Sequence, residues 1–361
     1  MELISFETAL NSAINYSKKH LLLGNGFSIA CINKVFSYNS LFDETDFTAF
    51  PEIKKSFEQL KTTDFELVIE ALEKAALIIP GYTEELPQTI IKIAKDAIRI
   101  KELLIGTLAN RHPELPSDVP AEKYIACRKF ISHFIANDVN DGRIYSLNYD
   151  LLLYWTLMHD VENESYTLNF NDGFGRDINN ENGETSISDY LIWQGKTELQ
   201  NIYYLHGALH LVDSGQALMK FSWKDTGKKL IDQCRNALNE NKFPLFVTEG
   251  DYQKKLEKIT HNAYLYTSFE SFENVMLAGK SKTPGNTCLF TYGVSFSNND
   301  EHVFEAIASG RIKHLYIGIF GELRSDANKE IIAKVESLKR RRTKFPLEIT
   351  YYCSSSAKVW G

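Results

Sequence analysis

Residues 24–28 read Gly-Asn-Gly-Phe-Ser and follow the apolar run His20-Leu21-Leu22-Leu23. A strand that breaks at glycines and resumes with helix formers presents backbone N–H groups to a phosphate. Gly24 and Gly26 remove side-chain obstruction there, Ser28 offers a hydroxyl, and Asn25 adds a polar group of open role. Three later segments share this grammar: IYSLNYDLLL at 144–153, YYLHGALHL at 203–211 and CLFTYGVSFSNND at 288–300. Each passes from an apolar stretch into polar or glycine residues. In an open parallel sheet the carboxyl ends of the strands line one crevice, so the four segments can converge on one ligand.

Asn148 offers two donors and an acceptor, enough to hold ribose hydroxyls or orient a water; equally, it can cap the helix that follows. His206 precedes Gly207, which lets the chain turn and leaves an imidazole at the crevice, where it can take a proton near neutral pH. Gly293 and Ser295 make a second turn of small residues. Asp300 reads as a helix cap or a crevice residue, with Glu301 and His302 as polar residues of a first helical turn. Glu249 reads as crevice lining, and His210 and His261 as structural histidines. Metal binding is not expected, since the chain has no HExxH, no paired cysteines and no calcium loop. It also lacks the GxSxG elbow of a hydrolase and the lysine of a P-loop.

In the order GNGFS, LNYD, LHG and GVS, these motifs resemble the sirtuin-like superfamily of NAD-consuming proteins, which carries GAGxS, NxD, HG and GTS in the same order. The chain is similar in particular to a bacterial branch marked by GNGFSIAC and by GVSFSNNDEH, here at 293–302. The resemblance implies a Rossmann-like core with NAD as substrate. It makes Asn148 and His206 the catalytic pair, with His206 as general base, and places Asp150 near the nicotinamide amide. Gly24, Asn25, Gly26, Phe27, Ser28, Gly293, Ser295 and Asp300 become the cofactor-binding set. Residues 36–47 stand where sirtuins keep a cofactor loop; the arginine of that loop is missing, and Phe42 is the residue that could cover the nicotinamide. The absent cysteine pairs argue against a zinc-dependent protein deacylase. The implied activity is an NAD glycohydrolase, of the kind that bacteria use to deplete NAD in defence against phage, with a protein activator or a homo-oligomer as candidate trigger. A different class, a non-catalytic sensor of NAD or an ADP-ribose derivative, would use the same turns without depending on His206.

The elements that must position these residues are those of an α/β fold: a doubly wound, mostly parallel, Rossmann-like sheet with an inserted helical module. The 361 residues suffice for such a core plus an insertion. A net charge of −7 gives no broad attraction to nucleic acid, and no membrane span is apparent. Five scattered cysteines and the lack of a signal peptide fit a reducing cytoplasm. Strands are expected at 143–147, 202–205, 244–248, 287–292, 314–319 and 347–352, with helices at 149–158, 253–259, 300–309 and 328–341. Residues 40–139 show helical periodicity throughout, so the core is read as 1–39 and 140–361 around that module. Residues 161–196 read as a long polar loop. The basic run Lys339-Arg340-Arg341-Arg342 ends a helix, where cations complement the dipole.

Overall fold

A computed structural model describes residues 2–83, 85–136, 141–159, 161, 167–176, 190–222, 227–240, 242–277 and 286–361. Helix α1 (Phe6–Ser12), capped by the Ser5 side chain on the Thr8 N–H, leads into β1 (Lys18–Leu23). Numbered along the chain, five further strands among the described residues join β1: β2 (Ile144–Ser146), β5 (Ile202–Tyr204), β9 (Thr287–Tyr292), β10 (His314–Ile319) and β11 (Glu348–Cys353). All pairs are parallel, in the order β11-β10-β9-β1-β2-β5. In chain order this is 6-5-4-1-2-3, so the direction of sheet growth reverses between β1 and β9, the strand order of a Rossmann-like sheet. β2, β5 and β10 are buried throughout, which is why they read as continuous apolar runs rather than alternating ones.

A second sheet is built from segments that lie between β2 and β9 in the chain, on both sides of β5. It comprises β3 (Phe174–Gly175), β4 (Tyr190–Trp193), β6 (Gly207–Asp213), β7 (Leu218–Phe221) and β8 (Pro244–Phe246), ordered β3-β4-β7-β6-β8 and antiparallel at every pair. This corrects two expectations. The strand at 244–248 belongs to this sheet rather than to the parallel one, and the described part of 161–196 contributes β3 and β4 instead of loop alone. The rest of that segment lies outside the described residues, as does the expected module boundary at 139 and 140.

Between β1 and β2 the described residues form seven α-helices: α2 (Gly26–Cys31), α3 (Asn33–Phe36), α4 (Tyr38–Glu44), α5 (Pro51–Leu60), α6 (Phe65–Ile78), α7 (Pro87–Arg111) and α8 (Ala121–Ile135). Asp64 starts α6 by accepting the Glu66 and Leu67 N–H groups at 2.9 and 3.2 Å. An aromatic cluster ties α4 to α5 and α6: Phe42 lies 5.0 Å from Phe57 and 5.3 Å from Phe47, and Phe57 lies 5.0 Å from Phe65, ring centre to ring centre. Phe42, half-buried, therefore packs within the helical module. Helix α8 packs on the parallel sheet, with Phe130 5.6 Å from Tyr292 and Phe134 5.5 Å from Phe290. It is the crossover that returns the chain from β1 to β2.

The remaining helices are α9 (Leu152–Met158), α10 (Leu230–Asn239), α11 (Tyr252–His261), α12 (Ala263–Met276), α13 (Glu301–Ser309) and α14 (Asp326–Arg341). The basic end of α14 is engaged within the fold, Arg341 pairing with Glu305 and, at 3.5 Å, with Glu301. Among the described residues no helix is long and apolar enough to cross a membrane.

Candidate functional site

The two small-residue turns meet where the sheet reverses. Gly26 N–H donates to Gly293 O at 2.9 Å, and Gly24 N–H to Tyr292 O at 3.0 Å. Gly293 has φ +68°, a conformation that favours glycine, and a Cβ there would stand 2.5 Å from Phe27 N. A Cβ on Gly24 would stand 2.5 Å from Gly293 O, and one on Gly26 2.5 Å from Gly293 Cα. The glycines are thus required by each other, before any ligand is considered. The N–H groups of Phe27 and Ser28 are also used, by Gly24 O at 2.9 Å and Asn25 O at 3.1 Å. Phe27 points into the core, where its ring lies 4.9 Å from Trp360 and its carbonyl accepts the indole N–H at 2.8 Å. Asn25 is exposed and reaches back to Phe36 O at 3.2 Å; Ser295, past the end of β9, is exposed as well.

At the end of β2, Asn148 Nδ2 donates to Ser28 Oγ at 3.0 Å, and Ser28 Oγ donates in turn to Asp150. The hydroxyl expected to serve a ligand is therefore committed to this chain of bonds. Asn148 does not cap α9: Leu151 holds the cap position, and Asp150 Oδ1 accepts the Leu152 N–H at 2.9 Å. Asn148 Oδ1 is buried without a partner among the described residues, an acceptor left free for something else. Burial pushes the Asp150 carboxyl up, against the pull of the Ser28 and Leu152 bonds.

His206 occupies the two-residue turn between β5 and β6, where the chain leaves one sheet for the other. Gly207 follows with φ +79°, packed so closely that a Cβ would collide with Leu245 O, and His206 O accepts Val247 N–H at 3.0 Å. The ring is 2% exposed. Its Nε2 faces His302 Nε2 at 3.1 Å and lies 3.8 Å from Asp300 Oδ1. Burial holds His206 well below the usual histidine range, with Lys255 and His302 adding to that effect and Asp300 opposing it. His302 falls to about 4 for the same reason, burial first.

Asp300 Oδ1 also accepts from Lys255 Nζ at 2.9 Å, and Lys255 pairs with Glu66 Oε2 at 2.8 Å. Glu66 takes a further bond from Asn299 at 3.1 Å and lies 3.1 Å from the Tyr149 hydroxyl, which donates to Val247 O at 2.7 Å. Burial alone would raise Asp300, yet the Lys255 ammonium and the two imidazoles hold it down at about 2. Tyr149, whose ring centre is 6.4 Å from that of His206, sits between Asn148 and Asp150 in the chain and so links the two groups of site residues. His206, His302 and Asp300 present ligand atoms within 4.8 Å of one another, a spacing that a divalent cation could bridge. The Lys255 ammonium on the same carboxylate oxygen already supplies positive charge there and opposes a dication.

Sequence pattern alone does not single out Glu66, Lys255 or His302. Each stands on an amphipathic helix where a polar residue reads as a solvated face, and their partners are 45 to 189 residues away. His302 in particular is 3% exposed rather than a polar residue of an open first turn. Glu249 clamps α7 to α11, 3.3 Å from Lys101 and 3.1 Å from Lys258, instead of lining the crevice. His261 bonds its own helix, Nδ1 lying 2.6 Å from Glu257 O. His210 is buried in β6 against Tyr154 and Tyr204, with neither ring nitrogen partnered among the described residues.

No curated protein matches the chain. The profile described as "Domain of unknown function (DUF4917)" matches residues 21–360, a span that takes in the first glycine turn, both sheets and the buried network, and the chain belongs to that family.

Proposed function

We propose that the protein cleaves the nicotinamide N-glycosidic bond of NAD. One observation carries the reading beyond the motif resemblance. The four strands that bear the motifs are consecutive neighbours, β9-β1-β2-β5, all parallel, so their carboxyl ends stand side by side across the reversal point. In the reaction the C1′–N bond breaks and its electron pair leaves with nicotinamide. The ribose carbon gains positive charge and then the oxygen of a water. Asn148, with its free Oδ1, orients that water or the ribose hydroxyls, and His206 accepts the proton that the water loses before passing it to solvent. The products are nicotinamide, ADP-ribose and one proton.

Ser28, Asn148, Asp150 and His206 are each at least 94% shielded from solvent, so NAD enters only if the crevice opens. A chain held closed until a trigger opens it suits an NAD-depleting defence effector, whose signature would be a fall in cellular NAD upon phage infection. The same closure, with the turn N–H groups already bonded, favours as second reading a sensor that binds NAD or an ADP-ribose derivative without turnover. Chromatography of NAD incubated with the protein separates the two. Nicotinamide and ADP-ribose should form in equal amounts, and Asn148→Ala and His206→Ala should each slow release at least about 100-fold. NAD binding without nicotinamide release, unaltered by His206→Ala, would favour the sensor.

A further inference from the structure

The buried network around His206 contains more than a lone base requires. Two imidazole nitrogens facing each other at 3.1 Å can share only one proton between them, so one ring must donate and the other accept. That bond couples the tautomer of His206 to that of His302 and holds the plane of its ring. A proton added to His206 would create a cation in a site that excludes water, and the nearest anionic atom is Asp300 Oδ1 at 3.8 Å. Asp300 in turn is held by Lys255, which α6 holds through Glu66. We propose that His302 and Asp300 are positioning residues for His206: His302 sets its tautomer, and Asp300, steadied by the Glu66–Lys255 pair, offsets the charge of the protonated ring. The proposal rests on the reading of His206 as a base.

The charged and titratable groups facing His206 are His302 from α13, Asp300 just before it, Lys255 from α11 and Tyr149 after β2, with Glu66 of α6 behind Lys255. Removing the Lys255 cation should ease protonation of His206; removing the Asp300 anion should hinder it. Opposite signs from two neighbouring substitutions are not what general loosening produces. Because Lys255→Met alone strands two carboxylates, the lysine is tested as Glu66→Gln/Lys255→Met, which conserves the net charge and leaves Asp300 free to pair with a protonated His206.

The test follows the ring nitrogens of the histidines by NMR between pH 5 and 8 on the full chain, with the His206 signal assigned by its loss in His206→Gln. The wild type should show one neutral tautomer throughout. His302→Phe should mix the two tautomers, Glu66→Gln/Lys255→Met should bring His206 protonation into the range, and adding Asp300→Asn to that double variant should push it out of the range again. An unchanged tautomer in folded His302→Phe, together with no change in His206 protonation in the double variant, would overturn the proposal. The ring signals decide positioning whether or not NAD is cleaved. Nicotinamide release decides the reading on which it rests: Asp300→Asn should lower kcat about 10- to 100-fold with KM within threefold, and Asp300→Glu should recover part of it. Turnover by the wild type that neither Asp300→Asn nor His302→Gln alters would also overturn positioning while leaving the base in place.

Discussion

A methyl group at Gly26 would sit 2.5 Å from Gly293 Cα, and there is no flexible side chain to yield. Gly26→Ala must therefore part the two turns, whatever it does to a ligand. Gly106, by contrast, lies inside α7 with nothing within 4 Å of where a methyl would sit, so Gly106→Ala gains helix propensity without a clash. Urea denaturation should show Gly106→Ala more stable by about 0.5–1 kcal/mol and Gly26→Ala less stable by at least about 1–3 kcal/mol. Equal stability of Gly26→Ala and wild type would mean that the turns are not in contact. The motif is readable as a glycine turn because its glycines interrupt an apolar run. What the run does not convey is that Gly293, far along the chain, sets the size limit.

Helix α6 reaches the site through Glu66, which is 5% exposed and shares Lys255 with Asp300. Truncating Glu66 to alanine removes one of the two carboxylates that compensate the buried ammonium and leaves Asn299 short of an acceptor. The expected loss is about 3 kcal/mol, and Glu66→Ala/Lys255→Met should recover part of it, because the buried ammonium is gone and Asp300 alone is left without its partner. Chemical denaturation of the two singles and the double closes this cycle; additive losses would contradict the coupling. The parallel strands are legible as apolar runs with polar or glycine ends, and the bounds of β9 and β10 match the expected 287–292 and 314–319. The antiparallel sheet is not. β6 is buried along six of its seven residues, so it shows no alternation to distinguish strand from helix, and β3 has only two residues. Asn148, Asp150, Ser28 and His206 stand out because strand ends concentrate polar residues. Lys255 and His302 do not, since only tertiary packing turns their helix faces inward.

Across the whole molecule, His20, His112 and His302 are at most 3% exposed, and burial lowers them to about 3, about 4 and about 4. In the unfolded chain each would take a proton near pH 6.5, whereas in the fold each stays neutral until far lower. The unfolded state then binds more protons, so stability is fully present above pH 6.5 and falls as pH drops from 6.5 toward 4. Each histidine contributes a loss of about 1.4 kcal/mol per pH unit in that window, about 4 kcal/mol in total between pH 7.5 and 5.5. A urea midpoint that stays level between those two pH values would contradict this. Asp300, held down at about 2, adds its loss only from about pH 3.8 downward. The bond from Trp360 to the Phe27 carbonyl joins residues 333 positions apart. On a ribosome adding about 5–20 residues per second, the glycine turn waits roughly 15–65 s for its last brace to be made. Under the proposed NAD cleavage, the nascent chain would lack a braced glycine turn until synthesis has passed residue 360.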